Sequence, residues 1–220
     1  MRLLQLVSPA LPVGAYTYSQ GLEWAVEQAD VHDAASTQAW VQDLLRASIA
    51  SFEAPWLAQM MAAWDAADDE RLGVLDAQYL ASRETAELRA EALQMGHSLR
   101  RLLTGLEDFP ATHALCLRGF ATPTYVLAWA CAASAWQLPV ADAVEGYLWS
   151  WAENQTLAAL KAVPLGQSEG QQILARLGRE IPALAAVALA MPLESSCNFA
   201  PGFAIACARH ETQYTRLFRS

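Results

Sequence analysis

Positive charge is scarce in this chain: 14 lysines and arginines stand against 23 aspartates and glutamates, a formal net charge of −9. No basic run exists to neutralise phosphates, which argues against nucleic acid as a partner. Cysteine is scarce too. Cys116, Cys131, Cys197 and Cys207 show no CxxC spacing and no nearby histidine cluster. They read as buried thiols in a reducing compartment, not as a zinc site or a disulfide frame. A GxxxxGK[ST] loop is missing, and with it ordinary binding of GTP or ATP. His32, His97, His113 and His210 are scattered, and His210–Glu211 lacks the second histidine of a zinc motif. Each reads as a surface or hydrogen-bonded residue. There is no GxSxG elbow and no Cys–His pair close in sequence. Pro123 and Pro139 cut the uncharged run 119–141 to a helix of about fifteen residues, short of the roughly 20 that a membrane span needs. The opening MRLLQLVSP holds too few apolar residues for a signal sequence. The expectation is a cytoplasmic protein with no catalytic residue and no metal ligand.

What is present is apolar and helix-forming. Hydrophobic residues make up 54% of 220, led by alanine and leucine rather than by the β-branched residues of strands. A chain of this length buries roughly 70–75% of its unfolded surface. Eight tryptophans supply core volume, with some available for a protein interface. No repeat or low-complexity linker divides the chain. The fold expected is all-α, a single bundle-like domain over 1–220 of roughly eight to ten helices.

Residues 1–18 read as a non-helical arm, since Pro9 and Pro12 push Ser8 and Leu11 into extended backbone and Gly14 permits a turn. Ser19 or Thr17 can cap a first helix to about Ala29. A second starts at Asp33 to Ser36 with Trp40, Val41, Leu44, Leu45 and Ser48 inward, and a third has Pro55 in its first turn. Asp65 to Glu70 reads as a solvated turn before a helix to Leu80. The clearest amphipathic helix opens at Ser82 to Thr85, with Leu88, Ala92, Met95, Leu99 and Leu102–Leu103 inward. Its carboxylates are expected to pair with arginine neighbours, and Arg83 with Glu84. Helices follow over 113–119, 124–137, 140–162, 166–178 and 182–190.

The helix over 140–162 organises the rest. Positions 140, 144, 147, 148 and 151 form its apolar face, which continues through Asn154 or Gln155 to Ala158 and Ala162. An amide on that side must be hydrogen-bonded, since each unpaired group costs about 1–3 kcal/mol. Lys161, a lone ammonium, arrives just before Pro164 and Gly166 stop the helix. The chain then ends in RHETQYTRLFRS, where Tyr214, Leu217 and Phe218 would form a stripe flanked by arginines on a helical tail. Termini fray unless held. This flexible tail, counted from 203 to 220, either docks on its own core or orders on a partner. Its Arg209, Tyr214, Arg216, Phe218 and Arg219 are the residue types that dominate binding hot spots.

Four stretches carry a resemblance to a known family: SPALPVGAYTYSQGLE (8–23), SRETAELRAEALQMGHSLRRL (82–102), ENQTLAALKAVPLGQSEGQ (153–171) and RHETQYTRLFRS (209–220). They resemble the urease accessory protein UreF family. The resemblance implies a non-enzymatic, α-helical and often homodimeric scaffold in nickel delivery. Such a scaffold binds UreD (UreH in some systems) and recruits the GTPase UreG, and the assembly passes nickel to the urease apoprotein. No cofactor is held tightly; nickel is in transit. The residues implied for UreD are Arg209, His210, Gln213, Tyr214, Arg216, Leu217, Phe218 and Arg219. Tyr16, Tyr18, Ser19, Gln20 and Glu23 are implied for UreG or the dimer partner, against a reading in which the arm merely covers core. Lys161 matches a lysine linked to interaction within the activation complex, against a plain helix-end cation. Asn154 and Gln155 share that helix end. A rival class is a helical small-molecule or cofactor-binding bundle with Asn154, Gln155 and Lys161 lining an internal pocket.

Overall fold

The helix expected over 140–162 runs from Val140 to Ala162 and is the axis of the molecule. The computed structural model describes all 220 residues and contains helices and no strand. Tyr147, Leu148, Trp151, Ala152, Gln155, Ala158 and Ala159 are the buried side of that helix, which packs against a helix spanning Gln167–Ala190. In chain order the α-helices are α1 (Arg2–Leu6), α2 (Leu22–Glu27), α3 (Ala34–Leu44), α4 (Ala54–Asp65), α5 (Asp69–Ala81) and α6 (Ala86–Leu103). After these come α7 (Ala111–Gly119), α8 (Tyr125–Ala135), α9 (Val140–Ala162), α10 (Gln167–Ala190) and α11 (Pro201–His210). One large core joins all of them but α2, with Trp129 of α8 fully buried within it.

Local chemistry explains most boundaries. Asp33 and Ser36 form a capping box at the start of α3, Thr85 caps α6 by accepting from Leu88 N, and Thr124 caps α8 through Leu127 N. Two boundaries differ from expectation. The second and third helices are one rod, because a π-helical stretch Leu45–Glu53 joins α3 to α4. Pro55 has no N–H to offer Ser51; the freed Ser51 carbonyl instead accepts from Cys197 N at 3.1 Å. Counting that rod once gives ten helices. Likewise 166–178 and 182–190 are one helix, with Pro182 exposed inside α10. Glycine matters most at Gly96, where an added Cβ would lie 2.0 Å from Pro123 O, so α6 and the entry to α8 approach backbone to backbone.

The arm is non-helical from Val7 to Gly14, but it begins with the short α1, which lays Leu3 and Val7 over Gly146 of α9. At the other end, residues 211–220 carry no helix, so the expected apolar stripe does not form. Phe218 turns inward and joins Leu22, Ala25, Val31, Ala158, Ala159 and Val163 in a second small core, while Tyr214 and Leu217 stay exposed.

Candidate functional site

Three segments far apart in sequence meet on one face: the end of the arm with α2, the last turns of α9, and residues 209–220. The N–H groups of Ser19 and Gln20 both donate to a single oxygen, that of Ser220, at 2.6 and 2.9 Å, and the left-handed Gln20 and Gly21, with φ of 50° and 76°, then turn the chain into α2. Ser19 Oγ donates to the same oxygen at 2.6 Å, and Arg219 N donates to Thr17 O at 2.8 Å. Glycine is required at 21 twice over, because a Cβ there would also sit 3.0 Å from Ala206 Cβ and Cys207 N of α11.

Three carboxylates complete the seat. Glu23 accepts from Leu217 N at 2.6 Å, from Phe218 N at 3.0 Å, and faces His210 Nε2 at 3.2 Å. Glu87 meets His210 Nδ1 at 2.7 Å and accepts from Arg216 Nη1 at 2.6 Å. Glu91 accepts from Ser220 Oγ and Gln20 Nε2, each at 2.8 Å. Burial raises the carboxyl of Glu91 to about 7, against the pull of those two hydrogen bonds. Tyr18 is also buried, and its phenol is pushed up by burial and by Glu91 while Arg219 opposes the shift.

The end of α9 reaches the same place. Asn154 Nδ2 donates to Tyr18 O and Gln155 Nε2 to Gln20 Oε1, each at 3.4 Å, and Trp151 Nε1 donates to Gln20 Oε1 at 2.7 Å. Gln155 is fully buried, so the amide expected on the inner face is there, although its Oε1 has no partner. Lys161, the chain's only lysine, donates to Tyr16 O at 3.3 Å and lies 5.6 and 5.7 Å from the ring centres of Tyr16 and Phe218.

The candidate residues therefore divide by direction. His210 and Phe218 face inward, Gln213 is half-buried, and Arg209, Tyr214, Arg216, Leu217 and Arg219 are exposed. Tyr18, Ser19 and Glu23 are buried and hold the C-terminal residues; Gln20 is half-buried at the hub, and Tyr16 is exposed. Glu87 and Glu91 were missed, since carboxylates of this helix were expected to pair with its own arginines. Their signal was position: Glu87 and Glu91 flank the buried Leu88 and Ala92 on α6.

Nearby, Arg83 pairs not with Glu84 but with Glu53, at 2.6 Å and almost fully buried. Its guanidinium lies 4.5 Å from the ring centre of Tyr79, and Tyr147 Oη donates to the other oxygen of Glu53 at 2.5 Å. Arg83, Glu53, Glu91, Tyr147 and Asn154 wall a cavity of about 100 Å³ under residues 8–16; Gln155 and Lys161 are not on its wall. The thiols divide as well: Cys131 and Cys207 are buried, Cys116 is half-buried and Cys197 is exposed, contrary to the reading of four buried thiols. Asp65, Ser134 and His113 form a chain, but Ser134 Oγ gives its proton to Asp65 at 2.5 Å, which is not the polarity of a nucleophile relay. No helix is long and apolar enough to cross a membrane.

Comparison with known proteins supplies the context. The UreF family model matches residues 31–178. The chain is 56% identical over 220 residues to the protein named Urease accessory protein UreF of Dechloromonas aromatica (strain RCB), covering all of this chain and 96% of that one. It is 55% identical over 222 residues to the protein of the same name from Azoarcus sp. (strain BH72), covering all of this chain and 95% of the relative. Against the Methylobacillus flagellatus protein of that name the identity is 48% over 220 residues, covering 97% of the relative.

Proposed function

The chain belongs to the UreF family of urease accessory proteins, and from that membership we propose that it is a non-enzymatic cytoplasmic scaffold. It binds UreD (UreH) and recruits the GTPase UreG, as a homodimer, for GTP-dependent delivery of nickel to the urease apoprotein. Nickel is cargo of the assembly, not a resident ion of this chain. The observation that carries the reading is the shared face. Exposed Tyr16 and Lys161 lie against each other beside residues 217–220, whose main chain Glu23 and the Ser19 and Gln20 amides hold in place, and exposed Tyr214 stands three residues before Leu217. Aromatic and arginine side chains on a pre-ordered base are what a hot spot requires, because little ordering entropy is lost on binding.

On this reading UreD takes the outward residues of 209–220, and the arm end with Lys161 serves UreG or the second copy. The test is co-purification with UreD and UreG. Tyr214→Ala with Leu217→Asp alters two exposed side chains, and it should abolish UreD capture with helicity unchanged. Retained capture would overturn the assignment. Lys161→Ala should fold normally and deliver nickel poorly; normal urease activation would return Lys161 to a helix-end cation worth about 0.3–1 kcal/mol.

A further inference from the structure

His210 occupies an unusual position for a histidine. It is completely buried, and each ring nitrogen meets a different carboxylate, Nδ1 to Glu87 at 2.7 Å and Nε2 to Glu23 at 3.2 Å. The carboxylates lie on opposite sides of the ring, so they do not converge on one ion. An ionised carboxylate only accepts hydrogen bonds, and a neutral imidazole has one N–H. With both carboxylates ionised, both contacts are therefore made only by the doubly protonated ring.

The same two carboxylates hold the segment that follows. Glu23 accepts from the main chain of Leu217 and Phe218, and Glu87 from Arg216. We propose that residues 210–220 form a proton-dependent latch, closed on α2 and α6 while His210 carries both ring protons and loosened when one leaves. Imidazole is the side chain whose charge normally changes between pH 5 and 8, which makes it fit for such a device. The groups that face the ring are Glu23 of α2 and Glu87 of α6; Glu87 also pairs with Arg216 and gives its N–H to Glu211, and Glu84, Glu87, Glu91 and Arg83 all act on Cys207, one turn earlier on α11. Negative charge predominates. Glu91, which holds Ser220, acts in the same direction: burial raises its carboxyl to about 7, so undocking Ser220 into water would release its proton too.

The inference rests on this chain's geometry alone and not on which partner the segment takes. It is tested by amide hydrogen exchange of the full chain at pH 6 and pH 8.5, corrected for intrinsic rates. Protection of the Leu217 and Phe218 amides should fall at least tenfold at the higher pH while the α9 amides hold. In Glu87→Gln the amide can donate to a singly protonated ring, so the fall in protection by pH 8.5 should shrink to the part that Glu91 supplies. In His210→Gln it should be low at both values. Wild-type protection that ignores pH, or a Glu87→Gln slope equal to wild type, would overturn the latch. If Glu87→Gln loses α9 protection, the nitrogen-15 signals of the wild-type His210 ring decide: two protonated nitrogens at pH 6 uphold it, and one overturns it.

Discussion

Glu91 shows how much one buried side chain can tie together. It joins Gln20 of the arm to Ser220, yet it does so as a carboxyl raised from an ordinary 4.5 to about 7. For an acid raised on folding, the native state binds the extra proton between those values, so the cost is absent below about pH 4.5 and complete above about 7. Glu91→Gln removes the charge, keeps one acceptor oxygen for Gln20 Nε2 and turns an amide N–H toward Ser220 Oγ, which can accept it. Thermal melts should show it more stable than wild type at pH 8, on the order of 1–3 kcal/mol, and about equal at pH 4.5. The Arg83–Glu53 pair behaves differently, since each charge satisfies the other. Arg83→Ala should cost about 3–5 kcal/mol in urea titration because Glu53 is left buried and unpaired. Arg83→Met with Glu53→Leu should cost clearly less, and an equal cost would show that packing rather than charge dominates there.

At the scale of elements, the close crossing of α6 and α8 depends on Gly96, where any side chain would push into the carbonyl of Pro123. Gly96→Ala should destabilise by at least the 1–3 kcal/mol typical of overpacking, seen as a lower Tm with the helical spectrum retained. Much of the element pattern was legible beforehand. The limits of α9 matched residue for residue, and α6 opens within the expected 82–85, at Thr85, because apolar spacing and caps are local signals. Pro55 stands in the first turn of α4 as expected, but the break before it, like the break before Pro182, does not exist, because a proline's cost depends on where the orphaned carbonyl goes. Ser51 finds Cys197 across the fold, and that partner lies 146 residues away. α1 escaped notice because a five-residue helix has little periodicity to read, and it rests on α9 rather than on its own propensity.

For the whole molecule, the three candidate groups read separately from sequence turn out to be one place. Residue types pointed to the arm, the end of α9 and the C-terminal residues, but not to their meeting, since Ser19 and Ser220 stand 201 positions apart. Nor could spacing reveal which residues face out. Tyr18, Ser19 and Glu23 look like surface polar groups in the string, yet they are buried, and Ser19 and Glu23 hold the main chain of Leu217, Phe218 and Ser220. The most direct measurement is amide hydrogen exchange on the full chain, free and saturated with UreD. If one surface does the holding, UreD should add protection to residues 212–220 and, because Ser220 O accepts from the Ser19 and Gln20 amides, to the end of the arm through them, while α4, α5 and α7 stay as they were. Protection on α4, α5 or α7 with those two segments unchanged would contradict the shared face and the role built on it.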